Sequence, residues 1–185
     1  RSDNMDVYEI IRIANKHPRV NILQPGPGVG GHCISVDPWF LVGDYPGLAN
    51  IILAARKIND GMPRFVIHRI SQIMREKGIT DVGRVGLYGL TYKEDVDDTR
   101  ESPSLQLLER LDDGLSGGMI QTYDPFIKHE ITPNQHFDLD EFLSSVDFVV
   151  IMVAHTELKK NLDKLKGKIV LDTKNTYHAH DVFRL

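Results

Sequence analysis

The chain has 185 residues. With 41% hydrophobic and 26% charged residues it has the composition of an ordinary globular protein, either one domain or one domain with an appended piece. Its net charge of −4 leaves no basic footprint for nucleic acid, and no apolar run approaches the roughly 18 residues of a membrane span. A single cysteine excludes an internal disulfide framework and predicts a reducing, cytoplasmic setting.

The opening residues, RSDNMDVYEI, carry neither the basic flank nor the apolar core of a secretory leader. They run into an amphipathic pattern with Val7, Ile10, Ile11 and Ala14 at helical spacing, which predicts a helix over 6–16. A chain that starts this way, without Met, reads as a piece of something longer. His17, Pro18 and Arg19 break the helix, and Val20 to Leu23 enter a glycine-rich loop. In that loop, QPGPGVGGHCISVDPW, Gly26, Gly28, Gly30 and Gly31 sit just before Cys33. Glycine permits backbone angles and close approaches that a side chain would block. Pro25, Pro27 and Pro38 stiffen the same segment. Asp37-Pro38 predicts a helix start, since Pro is tolerated in a first turn. Helices are expected over 48–62 and 65–77, separated by Gly61 and Pro63, with Gly78 as the second one's C-cap.

The grammar then changes. Strands are predicted over 84–90, 119–123, 147–153 and 168–172, alternating with helices over 104–111, 140–145 and 157–164. Ser102 and Pro103 form the cap and first turn of the first of these helices. The near-continuous apolar run DFVVIMV suits a parallel strand covered on both faces. The fold class expected is α/β: a helical linking segment over 1–64, followed over 65–185 by a Rossmann-like open parallel sheet.

Gly26 to Gly31 formally matches GxGxxG, but the dinucleotide fingerprint does not fit. It needs a strand before it, a helix opening inside it and an acidic residue about 20 positions later on a second strand. The glycines are better read as letting the backbone approach a ligand or another segment. Cys33 can be a small buried hydrophobe, or a nucleophile activated by a helix N-terminus. The residues alone leave both open. His32 is adjacent in sequence, and neighbouring side chains are expected to diverge, so no Cys–His dyad is predicted. Asp37 can cap the helix or approach the thiol and handle a proton there. Lys93 and Arg100 follow a predicted strand end, where open α/β sheets bind ligands. They can hold phosphates or belong to a solvated charged loop. His178 and His180 are the one close histidine pair, without a completing ligand set, so no metal is expected.

The combination of PGPGVGGHCISVDPWF, GLTYKEDVDDTRESPS, YDP and DTKN resembles the UDP-glucose/GDP-mannose dehydrogenase family over essentially the whole chain. The GHC-x-x-V-D-P form is most similar to the branch acting on UDP-N-acetyl-D-mannosamine and related UDP-N-acetylhexosamines. The resemblance implies an NAD-dependent four-electron oxidation of a sugar C6 alcohol to a carboxylate, supplying precursors for polysaccharide. It implies that Cys33 is the nucleophile and Asp37 the water- or proton-handling residue. It implies substrate contacts from His17, Arg19, Gln24, Gly26, Gly28, Gly30, Tyr92, Lys93 and Lys174. Lys174 stands where several relatives have Arg. NAD contacts are implied for Arg100 and for the segment from Cys33 to Val36. A homodimer is also implied, with no nucleic-acid or membrane partner. The family's N-terminal NAD-binding domain, and the segment with its catalytic Lys and Asn, are not in this sequence. The chain is expected to be a C-terminal half, inactive alone. Two other readings are open: a non-catalytic nucleotide-binding or assembly module with a structural Cys33, and a cysteine hydrolase with a His near that thiol.

Overall fold

The computed structural model of the chain describes residues 5–111, 115, 118–179 and 182–185. Helix α1 (Val7–Ala14) starts where Asp6 accepts a hydrogen bond from the Tyr8 amide at 2.9 Å. Helix α2 (Asp37–Asp44) follows the glycine loop and has Pro38 in its first turn. Its N-cap is Val36, without a side-chain cap, so Asp37 is the first helical residue and not the cap.

The next element differs from expectation. The two helices predicted on either side of Pro63 are one 28-residue helix, α3 (Asn50–Lys77), closed by Gly78 at φ 70°. An interior proline removes one helical donor and crowds the preceding turn. Pro63 is buried, and the Arg110 guanidinium donates to the Asp60 carbonyl at 3.0 Å, supplying a partner beside the interruption. Tertiary packing overrides the local signal here. Val66, Ile67, Ile70, Ile73 and Met74 line one face of the C-terminal part of α3 and are all buried. Each such side chain contributes roughly 1.5–3 kcal/mol on leaving water.

Six parallel strands follow: β1 (Val85–Tyr88), β2 (Gln121–Tyr123), β3 (Gln135–His136), β4 (Phe148–Ile151), β5 (Ile169–Asp172) and β6 (Val182–Arg184). They lie in the order β3-β2-β1-β4-β5-β6. Helices α4 (Pro103–Leu108), α5 (Leu139–Ser145) and α6 (Thr156–Lys160) occupy the connections. The fold is α/β with a Rossmann-like open sheet, as expected. Strands β3 and β6 were not anticipated, and the helix expected over 157–164 is α6 followed by a 3-10 turn at Leu162–Leu165.

Strand alternation builds a layer on each face. Val85 and Leu87 of β1, with Phe148 and Val150 of β4, pack with α3 and Leu107 of α4. Tyr88, Val149 and Ile151 face the other way, against Phe142 and Leu143 of α5 and Leu158 of α6. Gly86 is required by this second layer: a Cβ there would come within 2.7 Å of the Phe142 ring. From β1 the chain proceeds outward through β2 and β3, then returns to β4 on the other side of β1. This reversal places a crevice at the carboxyl ends of β1 and β4, where open α/β sheets bind ligands.

Candidate functional site

The carboxyl ends of β1 and β4 open onto a cleft of ≈ 270 Å³. Thr91, Tyr92, Lys93 and Glu94 line it from the β1 side, and Met152 and Val153 from β4. Pro103 and Ser104 contribute the start of α4, Pro27 and Gly28 the glycine loop, and Lys174 the turn after β5. Gly89, at φ 93°, lets the two strand ends converge; a Cβ there would meet Val153 at 2.6 Å. Glu94 is neutralised by Lys159 Nζ at 2.5 Å. Among the described residues neither Lys93 nor Lys174 has such a partner. Two unpaired ammonium groups therefore share one small cleft, an arrangement that favours an anionic ligand.

The glycine loop closes one wall by close backbone approach. The Gly31 amide donates to the Arg100 carbonyl at 3.0 Å. A Cβ at Gly30 would meet the Glu101 backbone and come within 2.9 Å of Tyr92 Cβ. At Gly31, φ is 92° and a Cβ would lie 2.9 Å from the Tyr92 ring. The glycines thus allow another chain segment to come near, as the sequence suggests. Asn59 of α3 holds the same loop: its side chain accepts from the Val29 amide at 2.9 Å and donates to the Val29 carbonyl at 3.3 Å. Arg56 donates to the Ile34 carbonyl at 3.2 Å and to Asp60 at 2.5 Å.

Cys33 is exposed, not buried in apolar packing. It does not line the Lys93 cleft. It lies in a second, apolar cavity of ≈ 580 Å³ with Ile34, Asp37, Pro38, Phe40, Leu41 and Ile52. Asp37 therefore shares a cavity with the thiol, and its amide donates to the Cys33 carbonyl at 2.8 Å. Tyr92 lines the first cavity and brings its ring close to Gly31, two residues before Cys33. The expected divergence of His32 from Cys33 does not hold: His32 Nδ1 lies 3.8 Å from Cys33 Sγ, because the turn into α2 folds both side chains to one side. Arg100 is exposed and grips Asp98 through Nε at 3.0 Å and Nη2 at 2.6 Å. Those hydrogen bonds hold the Asp98 carboxyl at about 2, and they raise the Arg100 guanidinium, with smaller contributions from Tyr92 and Cys33.

Beneath the cleft runs a buried polar network. Asp124, at the end of β2, accepts from the amides of Leu90 at 2.7 Å, Thr91 at 3.0 Å and Phe126 at 2.8 Å. It also contacts His155 Nε2 at 3.1 Å. Burial alone would push this carboxyl up; the His155 hydrogen bond, with the backbone donors, outweighs that and holds it below its ordinary value. At the end of β5, buried Asp172 accepts from the amides of Lys174, Thr176 and Tyr177, at 2.9, 2.5 and 2.6 Å. That turn aims Lys174 at the glycine loop, where a Cβ on Gly26 would stand 3.3 Å from its Nζ.

The pattern of the UDP-glucose/GDP-mannose dehydrogenase family's UDP binding domain matches residues 86–179, and that of its central domain matches residues 1–61. The chain belongs to this family. A UDP-N-acetyl-D-mannosamine dehydrogenase of Methanocaldococcus jannaschii is 46% identical over 179 residues, covering 92% of this chain and 40% of that protein. An NDP-N-acetyl-D-galactosaminuronic acid dehydrogenase of Ralstonia nicotianae is 39% identical, covering 95% of this chain and 41% of its own. The solved UDP-D-ManNAc dehydrogenase of Pyrococcus horikoshii superposes with a TM-score of 0.84 at 31% identity, covering 99% of this chain and 44% of that one. The chain thus spans about 40% of the length of the curated relatives it matches.

Within the family's two regions the sequence-derived residues divide. The UDP binding region holds Tyr92, Lys93 and Lys174 at the cleft and Arg100 against Gly31; the central region brings Gly28 to the cleft and Gly26 to Lys174. His17 and Arg19 lie on an exposed turn after α1, with the Arg19 amide donating to His17 Nδ1 at 3.3 Å, and neither lines a cavity with the others. Gln24 is exposed as well. His180 lies outside the described residues. Among the described residues no group of three or more His, Cys, Asp or Glu converges to hold a metal, and no helix is long and apolar enough to cross a membrane. Asn59, Asp124 and His155 were not anticipated as parts of the site. The signal for Asp124 was the YDP sequence at a strand end, and for His155 its place just beyond β4.

Proposed function

We propose that this chain is the C-terminal part of an NAD-dependent nucleotide-sugar 6-dehydrogenase that oxidises a UDP-N-acetylhexosamine of the N-acetyl-D-mannosamine type. In this reading residues 1–64 form a central, dimer-forming segment with the reactive cysteine loop, and 65–185 bind the UDP moiety. The observation that carries the reading is the pair of unpaired lysines, Lys93 and Lys174, in a cleft at the sheet's switch point. A diphosphate brings charge that two ammonium groups complement, and Gly28 leaves its backbone open to close approach. Gln24, Gly26, Gly30 and Tyr92 would shape the sugar end, with His17 and Arg19 reaching substrate from a second copy.

Cys33 and Asp37 carry the chemistry. The Cys33 thiolate adds to the C6 aldehyde and retains it as a thiohemiacetal, which becomes a thioester when the C6 hydrogen leaves as hydride and the hydroxyl loses its proton. Water then opens the thioester, the C–S bond breaks, and Asp37 takes the water's proton. NAD, when bound, supplies the acceptor for both hydrides. Arg100 fits the edge of its site, since it is exposed and its backbone is bonded to Gly31, two residues before Cys33. Covalent capture keeps a reactive aldehyde from escaping between the two oxidations.

Calorimetric titration of the 185-residue chain with UDP tests the cleft. Binding should weaken about tenfold or more in Lys93→Ala and in Lys174→Ala, as expected for lost charge-assisted contacts. Wild-type affinity in both variants would refute the assignment. The chain alone should reduce no NAD when supplied with UDP-sugar; the longer protein should.

A further inference from the structure

We propose that His155 is a positioning residue for the Lys93 loop, acting by a bifunctional imidazole that ties three strand ends together beneath the cleft. The proposal deepens the reading of the cleft as a nucleotide site and rests on it for its effect on binding.

His155 is completely buried and sits between β4 and α6. Both ring nitrogens are engaged. Nδ1 is 3.0 Å from the Asp95 amide, which can only donate, so Nδ1 must accept and carries no proton. The ring proton of the neutral form is then on Nε2. Nε2 lies 3.1 Å from Asp124 Oδ2 and 3.3 Å from Thr91 Oγ1. The Thr91 hydroxyl donates to the Lys93 carbonyl at 2.9 Å, which leaves its oxygen free to accept from Nε2. The one Nε2 proton is shared between Asp124 and Thr91, and the assignment closes without a conflict.

This geometry is not that of a nucleophilic relay. In such a relay the hydroxyl and the carboxylate sit on opposite ring nitrogens. Here Thr91 and Asp124 share Nε2, and Nδ1 faces the backbone. The ring cannot deliver a proton to a reacting group. What it can do is fix a shape. Thr91 and Asp95 bracket Tyr92, Lys93 and Glu94, the segment that lines the cleft. Asp95 has φ 57°, a left-handed backbone that a non-glycine residue adopts at a cost. The Asp95 carboxylate is held by Thr156 through its amide at 2.9 Å and its hydroxyl at 2.5 Å, while His155 holds the amide. Neighbouring residues of one corner therefore grip both ends of Asp95. Asp124 completes the device: its three backbone donors keep it ionised, and the ionised carboxylate selects the Nε2–H tautomer that leaves Nδ1 free to accept.

An amide side chain also accepts and donates, but neither Asn nor Gln can place an acceptor and a donor at both ring-nitrogen positions at once. His155→Asn keeps an acceptor near Nδ1; His155→Gln keeps a donor near Nε2. UDP affinity, melting temperature and amide hydrogen exchange are measured on the 185-residue chain and both variants. His155→Gln should lose protection of the Asp95 amide by at least about tenfold and bind UDP about tenfold more weakly. His155→Asn should retain more of both, even if both variants melt at the same lower temperature. Equal loss in the two variants, or an Asp95 amide in His155→Gln as protected as in wild type, would overturn the proposal. A test independent of folding is the long-range proton–nitrogen spectrum of the wild-type ring: Nε2–H is expected, and Nδ1–H would sink the idea. If wild type binds no UDP, the nucleotide reading fails, while the exchange comparison and the tautomer still decide the role of His155.

Discussion

The Gly31 amide donates to the Arg100 carbonyl at 3.0 Å, and this bond joins the cysteine loop to the loop that carries Tyr92 and Lys93. The junction depends on the absence of a side chain next door. A methyl at Gly30 would run into the Glu101 backbone and the Tyr92 Cβ, neither of which can swing away. Overpacking of this kind costs about 1–3 kcal/mol. Gly30→Ala should therefore lower the melting temperature by about 3–9 °C for a chain of this size. Gly61→Ala is the control. Gly61 lies in the interior of α3 with nothing within 4 Å of its would-be Cβ. It should gain about 0.5–1 kcal/mol from helix propensity alone. Thermal melts of the two variants check both signs; a neutral Gly30→Ala would mean the loops are not locked as described.

Much of this architecture is legible in the sequence, and the exceptions share a cause. Strands β1, β4 and β5 announce themselves because they are mostly apolar and buried, and β2 by the Asp124-Pro125 stop that follows it. Gln135–His136 and Val182–Arg184 do not, because strands so short are defined by the backbone of β2 and β5 beside them. The continuity of α3 through Pro63 is likewise a tertiary result, supported by Arg110 from the turn after α4. The cleft lysines were found because Lys93 follows a strand end and Lys174 lies in a recognisable DTKN turn. His155 was missed because one histidine after an apolar run carries no pattern; its meaning comes from Asp95 and Asp124, which only the fold brings to it.

Acid should loosen the site in a defined direction. The Arg100 hydrogen bonds hold Asp98 at about 2 in the folded chain, against about 3.9 when unfolded. A depressed carboxyl contributes stability that is full above the unfolded value and lost as pH falls through the folded one. Asp124, also held low, acts in the same sense. Stability should therefore decline between about pH 4 and pH 2. Asp98→Asn should flatten part of that decline and lower stability above pH 4. Melting temperatures across this range decide it; identical slopes in wild type and variant would remove Asp98 from the account.

At the alkaline end the sign reverses. Burial raises the Tyr88 and Tyr123 phenols well above their ordinary value, and Glu157 adds to it, accepting from Tyr123 at 2.9 Å and from Tyr88 at 3.3 Å. In the unfolded chain both would ionise near about 10. Their contribution is thus complete below that value and falls as pH rises past it. Absorbance at 295 nm should show that neither ionises in the folded chain at pH 11. Tyr88→Phe and Tyr123→Phe should leave the phenolate signal of the folded protein unchanged. A signal that shrinks in either variant would contradict the burial-driven shift.

The nucleophile assignment is tested in the full-length enzyme that the Proposed function describes. Cys33→Ser should reduce acid formation by on the order of 10³-fold or more, since removing a covalent nucleophile disables the step that depends on it. The fold should survive, because Cys33 is exposed and bears no packing. Acid release from the serine variant at the wild-type rate would end the case for covalent capture. In the 185-residue chain the same exposure predicts ready alkylation of Cys33, monitored by intact mass.

Helix α3 leaves one apolar face bare. Leu48 is 86% exposed, and Ile51 and Ile58, two turns apart on α3, are 86% and 71% exposed. Residues at this spacing share one helix face. A contiguous apolar strip open to water marks an interaction surface, and a second copy of the chain would cover each strip with the other. Each isoleucine so buried would contribute about 1.5–3 kcal/mol. Sedimentation at tens of micromolar should show a dimer for wild type. Ile51→Asp combined with Ile58→Asp should give a monomer with unchanged far-ultraviolet dichroism, because neither residue belongs to the core. A wild-type chain that sediments as a monomer would exclude this face as the self-association surface. A double variant that remains dimeric would place the contact elsewhere on the central segment.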